Sequence, residues 1–399
     1  MSFSAGKIFK GDKVLWVVLI FLSLISLLIV YSATGKLAYT KAGGNTGYYL
    51  LRQTVFIALG IGFMVFLVNM VPVKIYSILA NLLIGITFVI LMVAVVQKFT
   101  HSKDTTRTLT LWKFSFQPAE LAKISLVMYA AKMLSKYQKT KEELRHAFLW
   151  VTGVSAVICG IISFGDISTS ALIFGSIMAM LFVARVPMKY LLMLLGSIML
   201  LGVIVYFSAG VMPDSFGRVH TFKQRIDDFV YGDKDSKEGT TQADFAKLAI
   251  YEGGLFGKGP GRSEVSNYME AGYNDFIYAI IIEEYGWFGG VFVLLLYLIL
   301  FYRGVAIIRK ADRTFPAFLV TGLVLILIFQ ATINMAVSAG VAPVTGQPLP
   351  WISLGGTSML FTAVAYGIIL TVSSQNDRQK QPEEQLVVVN TPDEDHEMK

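Results

Sequence analysis

The amino-acid sequence predicts an all-α polytopic membrane protein with about ten transmembrane helices. Composition is the first reason. Of 399 residues, 55% are hydrophobic and only 15% are charged, against roughly a quarter charged in an ordinary globular domain. A soluble domain so poor in charge could not wet its own surface, and the mean hydropathy of +0.62 agrees. The second reason is that the apolar residues come in long uninterrupted blocks, each near the ~20 residues needed to cross a bilayer.

The basic start that ends at Lys13 leads into residues 14–33. That run is too long for the apolar core of a signal peptide and lacks a small-x-small cleavage site, so it is an uncleaved first span. Further spans are expected at 54–71, 76–96, 119–134, 147–163, 169–184, 190–208, 276–302, 315–338 and 358–372. Short-loop basic residues then set the orientation. Lys7, Lys10, Lys13, Lys74, Lys132, Lys136, Lys139, Lys141, Arg145, Arg185, Lys189, Arg303, Arg309, Lys310 and Arg313 all fall on one side if both termini are cytoplasmic. The net charge of +7 therefore marks cytoplasmic loops and not a nucleic-acid partner.

This gives a cytoplasmic N-terminus (1–13), one multi-span domain (14–373) and a polar, acidic tail (374–399) expected to be disordered in the cytoplasm. The opposite face carries loops at 34–53, 97–118 and 340–357. A much longer one, 209–274, is the large extracytoplasmic loop between the seventh and eighth spans. A loop of that size is usually functional or disordered, and this one ends in a glycine-rich turn that feeds a helix. One cysteine, Cys159, excludes a disulfide framework, and the four scattered histidines form no metal-ligand spacing.

Charged residues inside spans are costly and are functional candidates by default. The fourth span opens Gln117-Pro118-Ala119-Glu120, with Lys123 one turn further on the same face as Glu120. The two either form a structural ion pair or line an outward-facing polar cavity. The stretch Gly253 to Ser263 combines glycines with Lys258 and Arg262, the ingredients of an anion cradle or of a flexible loop. It does not match G-x-x-x-x-G-K-[ST], so it is no nucleotide P-loop. Asp275 sits where the long loop becomes a span, a position for either a helix cap or a reactive carboxylate. Glu283 and Glu284 lie two turns deeper.

Along nearly the whole hydrophobic chain these motifs appear in the order seen in the SEDS family (shape, elongation, division and sporulation), the bacterial group that includes FtsW and RodA, and the sequence resembles it. The resemblance rests on Tyr31-Ser32-Ala33-Thr34, on Gln117 to Lys123, on Arg218, Arg225 and Gln242, and on Gly253 to Ser263. It continues through Asn274-Asp275-Phe276 with Glu283-Glu284, Asn334, and Pro343 to Ser358, which includes Ser353. The entry Gly11-Asp12-Lys13 and the Tyr31 to Tyr49 region look closer to FtsW than to RodA.

The resemblance implies a SEDS-type fold and a peptidoglycan polymerase. Such an enzyme joins lipid II, the undecaprenyl-pyrophosphate-linked disaccharide-peptide, into glycan strands by inverting glycosyl transfer. It implies septal work at the bacterial inner membrane, beside a class B penicillin-binding transpeptidase and other division proteins. Asp275 falls on the family's essential aspartate. Glu120, Lys123, Arg218, Arg225, Gln242, Lys258, Arg262 and Ser353 are the expected substrate-binding residues. The chemistry agrees, because such a transfer needs a base for the attacking hydroxyl, whereas pyrophosphate leaves readily if its charge is stabilised. No cofactor is required by this inventory; a divalent cation (Mg or Mn) between carboxylate and phosphate is the one candidate. A lipid II flippase, a RodA-like elongation polymerase and a passive scaffold are the alternatives. Many spans with intramembrane charge also suit a transporter, but the charged loop and carboxylates gather on one side and no inverted repeat is visible.

Single cysteines placed at Lys139, Lys237 and Lys380 in a Cys159→Ser background test the orientation. In intact cells a membrane-impermeant thiol reagent should label position 237 only; labelling at 139 would invert the topology.

Overall fold

The computed structural model describes residues 8–41, 43–101, 108–111, 114–209, 217–231, 242–269 and 272–389. Its helices are α1 (Lys13–Ala33), α2 (Gly35–Lys41), α3 (Thr46–Met70), α4 (Val73–His101), α5 (Pro118–Lys136), α6 (Lys141–Ser163), α7 (Ile167–Val183), α8 (Met188–Ser208), α9 (Gly217–Tyr231), α10 (Gln242–Gly253), α11 (Ile277–Arg309), α12 (Thr314–Ser338) and α13 (Thr357–Val389). A helix therefore stands at each expected span. Among the described residues, eight helices are long and apolar enough to cross a membrane. Of the others, α7 is apolar but has only 17 residues. Helix α5 carries Glu120, Lys123, Lys132 and Lys136, which lower its apolarity.

Three expectations change. Helix α3 starts at Thr46 instead of 54, because the Asn45 side chain accepts the Tyr48 N–H and caps it early, and α2 occupies part of the expected 34–53 loop. The 97–118 loop contains an antiparallel hairpin, β1 (Leu109–Leu111) with β2 (Phe114–Phe116). Finally, α13 continues to Val389, past the point where a disordered tail was expected. Gln375, Arg378, Gln379, Lys380 and Gln381 are good helix formers that propagate an existing helix at little cost; residues 390–399 lie outside the described set.

The bundle is organised around α5 and α12, which pack on each other and are buried over most of their length. Helices α4, α6 and α7 gather on one side of them, while α1, α3, α11 and α13 close the other. At the end that holds the N-terminus, Asp12 caps α1 through the Val14 and Leu15 N–H groups and also accepts from Arg303 Nε at 2.8 Å. Asn376 Nδ2 donates to the Ile307 carbonyl beside it. Helix α8 is mostly exposed and touches the bundle through α7 and through Tyr190, which stacks on Phe148 of α6.

Helix α11 is broken at Gly286, whose φ of 69° and ψ of −170° are not helical. A break frees backbone groups that need partners in an apolar setting. The glycine-rich turn provides them. Lys258 N and Gly259 N donate to the Glu283 and Glu284 carbonyls, both at 2.9 Å, and Trp287 N donates to the Gly254 carbonyl at 3.0 Å. So close an approach excludes side chains, since a Cβ on Gly257 would stand 2.2 Å from the Glu284 carbonyl oxygen. Gly261 has a similar positive φ but open space around it. Gly257→Ala should therefore lower the unfolding temperature in detergent well beyond Gly261→Ala, by the ~1–3 kcal/mol or more that overpacking costs. Equal losses would mean that only the φ matters.

Candidate active site

The expected site residues fall into three groups, all at the end of the bundle remote from Asp12. The first is the pair on α5. Proline at the first helical position leaves no wasted N–H, and the three-residue spacing turns Glu120 and Lys123 to one side. They meet at 2.8 Å and are only 6% and 4% exposed. Lys123 Nζ donates a second bond, 2.9 Å, to Gln330 Oε1 on α12. The pair lines a narrow cleft with Leu327 of α12 and Phe361 of α13.

The second group surrounds Asp275. Helix α11 begins at Ile277 and its cap position is Phe276, with no side-chain cap bond. Asp275 is therefore not the cap that its sequence position allowed. It is half-buried, and its Oδ1 accepts from Asn274 Nδ2 at 2.9 Å. Its backbone is tied from below, where Asn334 Nδ2 on α12 donates to the Asp275 carbonyl at 2.9 Å. Ser353 Oγ donates to the Asn274 carbonyl at 2.7 Å while accepting the Leu349 N–H. Ser353, expected to bind substrate, is buried with its hydroxyl doubly engaged. Burial, and next the charge of Asp275, raise the pKa of the adjacent Tyr273 phenol, which stays neutral at physiological pH.

The 340–357 segment, expected as an outer loop, is instead partly inserted into the bundle: Gln347, Leu349, Pro350, Trp351, Ile352 and Ser353 are buried. The cause is its composition, since Pro348 and Pro350 have no N–H to satisfy and Leu349, Trp351 and Ile352 favour an apolar setting. Gln347 Nε2 donates to Thr169 Oγ1 at 2.7 Å, and Thr169 in turn bonds Asp166, which caps α7. Arg225 Nη1 lies 3.5 Å from Ser168 Oγ in the same turn. Arg225 is thus brought to the edge of this network. Arg218 lies on α9 with its side chain outside the described set.

The third group is the glycine-rich stretch. Two N–H groups expected to cradle an anion, those of Lys258 and Gly259, serve the break in α11 instead. The Lys258 ammonium pairs with Glu252 and with Glu283, the latter at 3.1 Å. Glu252 chiefly raises its pKa, burial works against this, and Glu283 adds to it. Glu283 is fully buried and also accepts from Ser263 Oγ, Glu264 N and Val265 N, so it staples the stretch to α11. Ser32 Oγ bonds Glu284 across from α1. Arg262 remains exposed with no side-chain ion pair among the described residues, and half-buried Gln242 opens α10. Sequence reasoning gave no role to Gln330, Asp166 or Gln53. The available signal was a polar residue inside an apolar run.

A helical bundle with eight candidate membrane spans among the described residues, a carboxylate anchored at one end and a buried ion pair beneath it defines a membrane-embedded protein with a polar site at one face. A family model described as cell cycle protein, covering FtsW, RodA and SpoVE, matches residues 12–378, and the chain belongs to this family. Stage V sporulation protein E of Bacillus subtilis (strain 168) is 30% identical over 91% of this chain and 96% of its own length. The "Probable peptidoglycan glycosyltransferase FtsW" of Geobacter sp. (strain M18) is 30% identical over 91% of this chain and 97% of its own. Among solved structures, RodA of Thermus thermophilus matches with a TM-score of 0.64 at 22% identity, over 92% of this chain and 97% of that one. A chain of a peptidoglycan synthase complex matches with 0.69, also at 22% identity, over 92% and 98%. The all-helical, SEDS-type fold expected from the sequence is borne out by these matches.

Breaking a buried ion pair strands a charge and typically costs about 3–5 kcal/mol. Glu120→Ala and Lys123→Ala should each reduce folded yield and unfolding temperature sharply, and the double variant should recover part of the loss. Wild-type stability in both single variants would show the pair to be dispensable.

Proposed function

We propose that this chain is a peptidoglycan glycosyltransferase that polymerises lipid II, with Asp275 as the general base. The anchoring of Asp275 carries this reading. Its carboxylate is half-buried and half-accessible, while two side chains hold the backbone on either side of it. A base works only when fixed within hydrogen-bond reach of the proton it removes.

In the reaction the attacking sugar hydroxyl gives its proton to an Asp275 carboxylate oxygen as its own oxygen bonds the donor's anomeric carbon. On the opposite face the bond to the pyrophosphate oxygen breaks, the electron pair leaves with undecaprenyl pyrophosphate, and configuration inverts. Arg262 and Arg225 are the cations suited to the leaving group. Arg262 is exposed and has no ion-pair partner among the described residues, and Arg225 stands at the edge of the Asp166 turn. Lys258 and Lys123, held by carboxylates, act through the local field and through the shape of the site. Among the described residues no three Asp, Glu, His or Cys side chains converge as a metal-ligand set, so no step is derived through a divalent cation.

The topology that goes with this reading has both termini in the cytoplasm and Asp275 on the outer face of the bacterial inner membrane. Lipid-anchored donor and growing strand reach it there. A class B penicillin-binding transpeptidase beside the spans, and a septal role, complete the assignment. The septal role is supported by the FtsW and SpoVE names of the relatives, and the crosslinking partner by the similar chain in a synthase complex that joins polymerization to crosslinking.

Asp275→Asn keeps the size of the side chain but cannot take a proton. Polymer yield from purified lipid II should fall by about 10²–10⁴-fold, with insertion and folding unchanged. Asp275→Glu should also be poor, since a carboxylate displaced by ~1 Å can cost about 10²-fold. An Asn variant within a few-fold of wild type would move the base elsewhere, first to Glu283 or Glu284.

A further inference from the structure

Helix α12 carries two buried carboxamides one turn apart on one face, Gln330 and Asn334. Such groups are costly in a membrane-spanning helix unless they are paired. Gln330 uses both ends of its amide. Oε1 accepts from Lys123 Nζ and Nε2 donates to the Pro348 carbonyl, each at 2.9 Å. Asn334 gives both amide hydrogens away, to the Gln347 carbonyl at 2.8 Å and to the Asp275 carbonyl at 2.9 Å. Among the described residues its Oδ1 is buried without a partner. An unpaired buried acceptor is an expense that an apolar residue would avoid, which points to the two donated bonds as the reason for the side chain.

The bonds form one chain. It runs from Glu120 through Lys123 to Gln330, crosses the 347–348 peptide, and reaches the backbone of Asp275 through Asn334. Had Gln330 only to complete the shell of Lys123, an acceptor would suffice; the amide donor is what extends the chain to the inserted segment. We infer that Gln330 and Asn334 are positioning residues of the glycosyl transfer, coupling the Glu120–Lys123 pair to the placement of Asp275. This rests on the reading of Asp275 as the base. Both amides donate to protein carbonyls, so the expected signature is a loss in turnover without a loss in substrate affinity.

The experiment measures kcat and KM for lipid II polymerisation by the full chain with its cognate transpeptidase, corrected for folded fraction. The variants are Lys123→Met, Gln330→Leu, their double, and Gln330→Glu. Each single should lower kcat by about 10–10²-fold with KM little changed, on the scale of a ~1 Å misplacement. The double should be no slower than the slower single, because both break one chain. Gln330→Glu keeps an acceptor for Lys123 and loses the donor to Pro348, and should be as slow as Gln330→Leu; it also serves if the Leu variant does not fold.

Multiplying losses in the double, a raised KM with kcat retained, or wild-type turnover in Gln330→Glu would each overturn the inference. Asp275→Asn, run alongside, separates the two claims. Retained polymerisation there removes the base assignment, whereas the cycle between Lys123 and Gln330 still reports whether they are coupled.

Discussion

The structure depends on how the carbonyls of residues 347–353 are satisfied. Non-helical backbone inside a membrane bundle is tolerated only where protein groups replace the missing water. Here side chains from several helices do so: Asn334 for Gln347, Gln330 for Pro348, Tyr297 for Pro350, Ser26 for Ile352 and Gln53 for Ser353. The Leu349 carbonyl takes the Ile352 and Ser353 N–H groups in a tight turn. The donors are few because two residues are prolines, and Trp351 ties its indole N–H to Ser23. The result is a short stretch of irregular chain held as firmly as a helix.

That stretch fixes the start of α11. Leu354 N donates to the Tyr273 carbonyl and Ser353 to that of Asn274, while Asn334 holds Asp275 from the other side. A few residues later the same helix is broken at Gly286, and the glycine-rich turn closes the break by a backbone-to-backbone contact. The first turns of α11, with Asp275 just ahead of them, are thus clamped at both ends by irregular chain. This is the rigidity that the proposed base would require, obtained without a disulfide among the described residues.

The spans were legible because their signal is local and repeated: some twenty apolar residues, then basic ones. The pair on α5 was legible for the opposite reason, as charges where none should be. The inserted segment was not. Hydropathy weighs side chains, and a run with three prolines and two adjacent glycines looks like a surface loop unless the carbonyl partners are known. Those partners include Gln53 on α3 and Gln330 with Asn334 on α12, helices far from the segment or unmarked as its neighbours in the sequence, and no spacing shows that they meet it. The break in α11 was hidden as well, since the apolar run continues straight through Gly286. The glycine-rich stretch has a structural role that its spacing did not show. Its glycines allow close approach, as expected, but what approaches is the broken helix.

The distribution of charge around the site follows from this construction. Lys123 and Lys258 are each paired with carboxylates and anchored, so they shape the protein and cannot follow a moving ligand. Arg262, exposed on a glycine-rich turn, has the freedom that they lack. A polymerase must hold its base still while a charged lipid carrier arrives, reacts and departs after every addition. In the proposed mechanism, fixed groups beneath Asp275 and an adaptable cation on the glycine-rich turn would divide those demands, because a lysine locked between two carboxylates would gain little from a pyrophosphate and an arginine without a carboxylate partner would gain a great deal.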